Sequence, residues 1–359
     1  MSPASRAPAP APETTFPKPT PRTVLQAVLG LGLAMAIIAF GLPYFADTTW
    51  AKIGTHLGSV GPASALELFG WMVLGLWCYT FTLTGSLPGL SHSKALMMNV
   101  SGSAVGNMLP GGGAAGVAVT YLFGRSWGFS RMAISTSIIV SGVWNVLARV
   151  ALPLLGIVVL ARDQTALPKS VRQGAFAAGV TALVVLAVFI AMVISDERAR
   201  QLGGLLDRRV GHLLARLRRG PKKGQRLDLA TVLQNQRSRL ASVTAHGWFP
   251  MTFGVVGFLG IYFVLFWRTM EAVGVEIPLP KLFAAYAIGR LLTAVGVTPG
   301  GLGITEAGTL SVLVAWGAPP APAAAGVLIF ALYTHVFEVP LGLLGWLGWS
   351  LSPKVPPPD

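Results

Sequence analysis

The chain has 359 residues, of which 53% are hydrophobic and only 11% are charged. Ordinary soluble domains carry roughly a quarter charged residues, and several apolar runs here exceed the ~20 residues that cross a bilayer as a helix. This composition excludes an ordinary soluble domain. It predicts an all-α, polytopic membrane protein with a single transmembrane domain over residues 22–352.

The formal net charge of +14 is concentrated in one region, because 12 of the 27 Lys and Arg residues lie between Arg198 and Arg239. Cytoplasmic loops of membrane proteins carry such an excess, so we interpret residues 195–240 as a cytoplasmic loop facing anionic lipid headgroups rather than nucleic acid. Within it, residues 199–217 have the apolar spacing of an amphipathic helix on the inner leaflet. A solvated charged linker is the alternative.

Six apolar segments are long enough to be full spans. In chain order they cover residues 24–46, 63–83, 130–161, 174–194, 248–267 and 321–349. They are flanked by a Pro- and Ala-rich tail at 1–21, predicted to be disordered, and by a second tail at 353–359. With Arg22 before the first span, both termini are predicted to lie in the cytoplasm of a multi-pass cell-membrane protein. Residues 47–62 and 162–172 are predicted to be outer connections.

Two further apolar segments are interrupted by residues that end helices. The first, 95–109, would be about 22 Å long as a helix, and it meets Pro110 and three glycines. The second, 282–298, meets Pro299 and its glycines. Proline lacks a backbone donor and glycine adopts conformations that other residues avoid. Since no arm spans a core of ~30 Å, we predict two re-entrant helical hairpins; a single broken helix that crosses fully is the alternative.

A shift of 189 residues aligns the two halves of the chain, about 22–194 and 240–350. Pro110 then falls on Pro299, and the pair 127–128 falls on 316–317, Trp-Gly in both cases. Three full spans separate the hairpins, an odd number, so the halves are predicted to be inverted relative to each other. Inverted repeats with broken helices meeting at the midplane are typical of secondary transporters. Close packing of glycine-rich helices is the alternative explanation for the breaks.

The second break also carries a resemblance to a known family. The strings AIGRLLTA at 287–294 and TPGGLGITEAG at 298–308 resemble the membrane region of lysylphosphatidylglycerol synthase, and GNMLPGGG at 106–113 is similar to the first break of that family. The resemblance covers roughly residues 22–350. Two positions depart from it, since Ala331 and Glu338 stand where family members often carry an arginine and a proline.

The resemblance implies a flippase-like integral membrane protein. In the synthases this region is implied to move aminoacylated lipid between leaflets, whereas a separate soluble domain makes that lipid. The resemblance does not extend to the soluble domain, so it does not imply aminoacyl transfer.

Ionisable side chains inside spans are costly and are therefore candidates for function. Glu306 is expected to pair with Arg290, to couple protons or to be structural, and Arg149 is expected to contact phosphate or to pair with Glu338. His335 lies three residues before Glu338, as a proton relay or a packing contact. The predicted substrate-binding residues are Asn107, Pro110, Gly111, Gly112, Gly113, Arg149, Arg290, Pro299, Gly300, Gly301, Gly303, Glu306, His335 and Glu338.

The predicted function is to bind or move an anionic phospholipid or lipid-linked headgroup, because free helix N-termini after each break attract anions. The sequence shows no metal-ligand cluster, nucleophile elbow or GxxxxGK[ST] motif, so no cofactor or metal is predicted and an enzyme is less favoured. The alternatives are an intramembrane lipid-modifying transferase using Glu306 and His335, and a non-transporting scaffold that recruits partners through its basic loop. The lipid, the energy source and the oligomeric state stay open.

Overall fold

The computed structural model describes residues 21–109, 112–162, 187, 229–293, 298–356 and 358. Within these residues the protein is helical, and one isolated β-bridge joins Trp127 to Val355. The helices are α1 (Pro21–Ala36), α2 (Leu42–Ala46), α3 (Trp50–Gly58), α4 (Pro62–Ser86), α5 (His92–Met108), α6 (Gly113–Ser126), α7 (Arg131–Arg162), α8 (Leu229–Ala272), α9 (Leu279–Leu292), α10 (Ile304–Ala315), α11 (Pro320–Ala331) and α12 (Glu338–Leu351).

Among the described residues, four helical segments are long and apolar enough to cross a membrane, which makes the chain a multi-pass membrane protein. They are Pro62–Ser86, Arg131–Leu160, Arg239–Ala272 and Pro320–Leu351. The last one joins α11 to α12 through a π-helical turn, Leu332–Val336. All four coincide with predicted spans.

The remaining predicted spans have different outcomes. Residues 24–46 are helical throughout, since a π-helical turn connects α1 to α2, and the apolar part is the shorter helix Val28–Tyr44. The prediction for 174–194, apart from residue 187, lies outside the described residues. The predicted amphipathic helix at 199–217 lies outside them as well.

Two predicted connections contain helix instead. The outer connection at 47–62 contains α3, whose Ile53 side chain is fully buried and anchors the short helix. The predicted basic loop ends earlier than expected, because α8 already begins at Leu229. Propensity from the sequence alone underestimates such segments, since tertiary packing stabilises most short helices.

Helices α4 and α8 form a close antiparallel pair. At one end Gly85 lies against Gly247, and at the other Arg268 Nε donates to Glu67 Oε1 over 2.7 Å. Between these ends Gly254 contacts the backbone at Thr82. Small residues let helix backbones approach closely, which explains the glycines on this face of α8.

Helices α5 and α6 fold back on one another as an antiparallel hairpin. Gly106 lies against Gly112 at the tip, and Gly102 lies against Gly116 one turn away. At the open end, Lys94 Nζ lies 5.3 Å from the ring centre of Trp127. Because the first turn of α5 lies beside the end of α6, the two helices do not continue as one long helix.

Helices α9 and α10 make the corresponding unit in the second half. Gly289 of α9 contacts Thr309 of α10, and Gly308 of α10 contacts Leu292 of α9. These contacts also run antiparallel. The described part of the break between the two arms contains a short 3-10 turn, Pro299–Gly301.

The 189-residue spacing recurs in the helix boundaries. Helices α6 and α10 end 189 positions apart, and the helices that follow them begin 189 positions apart. The residue after each end has nearly the same backbone, with φ and ψ of −98° and 11° at Trp127 and −97° and 11° at Trp316. The next residues, Gly128 and Gly317, have φ of 88° and 95°, a region that favours glycine. The local structure therefore repeats along with the sequence.

The two ends of this helix assembly differ in charge. The open end of the α5–α6 hairpin carries Lys94 and Arg125, and the C-terminal tail lies on it, with Val355 N donating to Ser126 O over 2.9 Å. Partial burial, and secondly the nearby Lys94, lower the pKa of Lys354. The opposite end carries mixed charges, including the pair formed by Glu67 and Arg268.

Candidate functional site

A cavity of about 650 Å³ lies between the two broken units and is lined by residues of both breaks. Helices α4 to α9 and the turn that joins α11 to α12 also contribute to its wall. A smaller cavity of about 350 Å³ lies near Arg239, but it includes no part of either break. The larger cavity is therefore the candidate site.

The structure brings most of the predicted site residues to this cavity. Nine of the 14 line it: Asn107, Gly112, Gly113, Arg149, Arg290, Gly300, Gly301, His335 and Glu338. Pro299, Gly303 and Glu306 do not. Pro110 and Gly111 lie outside the described residues.

The backbone of the second break has positive φ angles, which glycine adopts readily. Gly300, Gly301 and Gly303 have φ of 62°, 80° and 85°. A Cβ atom on Gly300 would lie 2.9 Å from Asn107 Oδ1 and 2.9 Å from His335 Cδ2. The tips of the two breaks therefore meet at Gly300, where a side chain would separate them.

A polar network around Glu338 connects the two breaks. Glu338 Oε2 accepts from Asn107 Nδ2 over 3.1 Å, and Oε1 accepts from the Tyr262 hydroxyl over 3.3 Å. His335 Nε2 lies 3.1 Å from Gly300 O. Glu338 is only 7% exposed, and these hydrogen bonds satisfy a carboxyl group that would be costly to bury alone. Glu338 at the start of α12 thus contacts the first break, and His335, three residues earlier, contacts the second break.

Two arginines line the cavity from opposite halves of the chain. Arg290 Cζ lies 5.6 Å and 5.8 Å from the ring centres of Phe258 and Tyr262, in cation–π contact. The Arg290 Nε atom is buried without a hydrogen-bond partner. Within the described part of the chain, no carboxylate forms an ion pair with Arg290 or Arg149. Glu338 is the one carboxylate among the described lining residues, so the cavity wall carries two positive side chains and one negative one.

Both ion pairs considered from the sequence are absent from the described residues. Glu306 does not pair with Arg290, because its Oε2 atom accepts from Gly303 N over 2.5 Å at the start of α10. Glu338 does not pair with Arg149, because its oxygens are bonded to Asn107 and Tyr262. In each case the carboxyl group accepts hydrogen bonds from uncharged donors and forms no ion pair with the arginine.

The two half-helices after the breaks consequently differ. At the start of α10, Glu306 provides a negative charge and accepts a backbone N–H group that the helix cannot satisfy itself. At the start of α6, the N-cap residue is Gly112, which has no side chain to cap the helix. Gly112, Gly113 and Gly116 line the cavity. Only the first-half helix therefore presents a positive dipole end without an acidic cap to the cavity.

The structure adds residues that the sequence interpretation missed. Tyr262 and Tyr79 line the cavity, and Asn145 Nδ2 donates to Tyr79 Oη over 2.7 Å. A usable signal was present in α7, where Ser137, Ser141, Asn145 and Arg149 recur every four residues and all line the cavity. Residues four apart lie on one helix face, so this polar stripe in an apolar span marks the side that faces the site.

Sequence comparison assigns the chain to a family. The family model described as the lysylphosphatidylglycerol synthase TM region matches residues 27–342. The chain belongs to this family. The match includes both breaks and all residues that line the cavity, and it confirms the resemblance that the break motifs carry. No curated protein matches the chain.

Proposed function

We propose that this member of the lysylphosphatidylglycerol synthase TM family binds the anionic headgroup of a membrane lipid in the cavity and carries it between the leaflets. The observation that carries the proposal is the presence of Arg149 and Arg290, without carboxylate partners in the described chain, in a cavity that joins both breaks. Charges at membrane depth are costly unless they are paired. A bound anion would supply the missing counter-charge.

The proposed architecture is an inverted repeat. The antiparallel arms of both units and the repeated helix boundaries support two re-entrant hairpins. Entry of the hairpins from opposite leaflets requires an odd number of spans between them, and that number includes the predicted span at 174–194, which apart from residue 187 lies outside the described residues. The basic end with Lys94 and Arg125 would then lie on the cytoplasmic side of the cell membrane, and so would both chain termini. In transporters with this arrangement the substrate binds at the midplane between the repeats.

Of the two alternatives considered from the sequence, the lipid-modifying transferase receives less support. A lipid-modifying transferase was expected to use Glu306 with His335, but Glu306 caps α10 and does not line the cavity. A scaffold role depends on the basic loop at 195–240, most of which lies outside the described residues. The family description, which names a synthase of a modified phospholipid, favours a lipid ligand over a soluble one.

A leaflet-resolved assay tests this function. The full chain is reconstituted into vesicles that contain phosphatidylglycerol with a fluorophore on one acyl chain, and dithionite is added outside to quench the outer leaflet. We expect quenching to proceed beyond the outer-leaflet pool in protein-containing vesicles and to stop there in protein-free vesicles. Equal quenching in the two preparations, with the protein folded and inserted, would contradict lipid movement.

A further inference from the structure

We propose that the cavity opens sideways into the bilayer between α6 and α7, and that the acyl chains of the bound lipid leave through this lateral opening while the headgroup stays inside. Gly113 and Val117 of α6 and Gly142 of α7 border the lateral opening. The inference rests on the proposed function and deepens it, because it assigns a place to the part of the lipid that the two arginines do not bind.

The exposure of the cavity wall indicates where the cavity is open. Of the described residues that line it, only Gly113, Val117 and Gly142 are exposed, and Val117 is 38% exposed. The other described lining residues, which come from both halves of the chain, are buried or half-buried. The three exposed residues belong to two helices that follow each other in the chain. The described wall is therefore open between α6 and α7.

Helices α6 and α7 touch at one end and separate toward the cavity. Near the touching end, a Cβ atom on Gly124 would lie 2.8 Å from Ile134 Cδ1, and the hydroxyl groups of Tyr121 and Ser135 are hydrogen-bonded to each other. Farther along α7, a Cβ atom on Gly142 would have no heavy atom of the described chain within 4 Å. The gap between the two helices therefore widens toward the first break.

The lateral opening lies at membrane depth. Helix α7 contains the candidate span Arg131–Leu160. Gly142 lies about 17 Å along this span from Arg131, at a rise of 1.5 Å per residue. In a hydrocarbon core of ~30 Å, this distance places the lateral opening near the middle of the bilayer. Acyl chains rather than water are therefore the medium outside it.

The cavity wall changes from polar to apolar at this edge. Ser137 and Ser141 belong to the polar stripe of α7, and Ile138 and Gly142 follow them by one position, about 100° around the helix. On the facing helix, Val117 also lines the cavity. The polar stripe and the arginines fit a headgroup, whereas the apolar edge fits hydrocarbon. A lipid has both parts in one molecule, and a soluble anion has no apolar part to place in the opening.

Filling the lateral opening tests this inference. In a Cys78→Ala background, Gly142→Cys is reacted with N-benzylmaleimide, and the movement of phosphatidylglycerol with a fluorophore on one acyl chain is measured before and after the reaction. The unmodified protein from the same preparation is the reference, which separates the effect of the adduct from an effect on folding. We expect the adduct to lower the rate by at least about tenfold, equivalent to a barrier higher by about 1.4 kcal/mol.

Gly260→Cys in the same background is the matched control. Gly260 is an exposed glycine of α8 that does not line the cavity, and an added Cβ atom there would have no described heavy atom within 4 Å. Its adduct should leave the rate unchanged.

Binding in detergent provides a second measurement, followed by native mass spectrometry. The adduct at position 142 should weaken the binding of phosphatidylglycerol by at least about tenfold, as a loss of about 1.4 kcal/mol gives. It should leave unchanged the binding of glycerophosphoglycerol, which is the same headgroup without acyl chains.

The contrary outcomes are distinct. An adduct at position 142 that changes neither the rate nor the affinity would overturn the lateral opening and leave the proposed function standing. Equal loss of phosphatidylglycerol and glycerophosphoglycerol binding would overturn the assignment of the opening to acyl chains. Lipid binding that the adduct weakens, without any movement of lipid in vesicles, would support the lateral opening and contradict carriage between the leaflets. Absence of lipid binding to the unmodified protein would overturn both.

Discussion

Replacing Arg149 and Arg290 together by glutamine is expected to lower the rate of lipid movement by at least about a hundredfold, because each charge-assisted contact contributes roughly 1.5–3 kcal/mol and each 1.4 kcal/mol is a factor of ten. The change removes both positive charges that line the cavity without a carboxylate partner in the described chain. The rate is measured as dithionite-accessible phosphatidylglycerol in vesicles.

Two further variants control this experiment. Arg268→Gln removes an arginine near the C-terminal end of α8, where it is paired with Glu67. This variant should move lipid at the wild-type rate. Arg290→Lys keeps the charge but loses the planar fork that binds phosphate in two places, so we expect an intermediate rate. A double glutamine variant that is folded and as fast as the wild type would exclude a role for these charges.

Gly254→Ala is expected to destabilise the protein by about 2 kcal/mol or more, since inserting a methyl group into a packed interface typically costs 1–3 kcal/mol. An added Cβ atom would overlap the backbone of Thr82, and it would lie 3.0 Å from Cys78 O. Backbone atoms of a neighbouring helix cannot move away as a flexible side chain can. The α4–α8 pair would therefore have to separate.

Gly260→Ala is the matched control for this change. Gly260 lies on the same helix, and a Cβ atom there would have no heavy atom within 4 Å. Alanine favours helix by up to about 1 kcal/mol over glycine, so this variant should be as stable as the wild type or slightly more stable. Thermal unfolding in detergent compares the two, and equal unfolding temperatures would contradict the close approach of α4 and α8.

The breaks and most of the spans could be predicted from local sequence. Pro299 and the glycines that follow it cannot continue a helix, and this property requires no knowledge of the rest of the fold. The cap of α10 could also be predicted from the sequence, because Glu306 stands three residues after Gly303, the spacing at which a side chain reaches back to the N-cap. Of the alternatives considered for Glu306, the ion pair with Arg290 does not form, and the carboxyl group makes the local contact, which has a smaller entropic cost than a distant one.

The partners of the buried charges could not be predicted in the same way. Asn107 and Glu338 are 231 positions apart, and their contact depends on how the first hairpin packs against α12. Tyr262 reaches the same carboxyl group from a third helix. Neither contact has a local sequence signature, so only the packed arrangement of the helices reveals them.

The repeat preserves the backbone after α6 and α10 but not at the breaks, where the equivalent residues Gly112 and Gly301 have φ of −60° and 80°. Position 149 plus 189 is position 338, so Arg149 and Glu338 occupy equivalent places and carry opposite charges. Likewise Glu306 corresponds to Val117, since 117 plus 189 is 306. The uncapped helix and one arginine belong to the first half, whereas the cap and the buried carboxyl belong to the second. The two halves therefore present different chemistry, and different break conformations, to a bound anion.

The central claim is that an anionic lipid headgroup occupies the cavity, and protection of a single cysteine tests it most directly. In a Cys78→Ala background, Ser141→Cys places a thiol on the cavity wall, and Ser93→Cys places one on the exposed start of α5. Both are reacted with a neutral maleimide in detergent, with and without phosphatidic acid. With lipid at about ten times its Kd, modification at position 141 should slow by about tenfold and modification at position 93 should be unchanged. An unchanged rate at position 141, at a lipid concentration that saturates binding, would contradict occupation of the cavity.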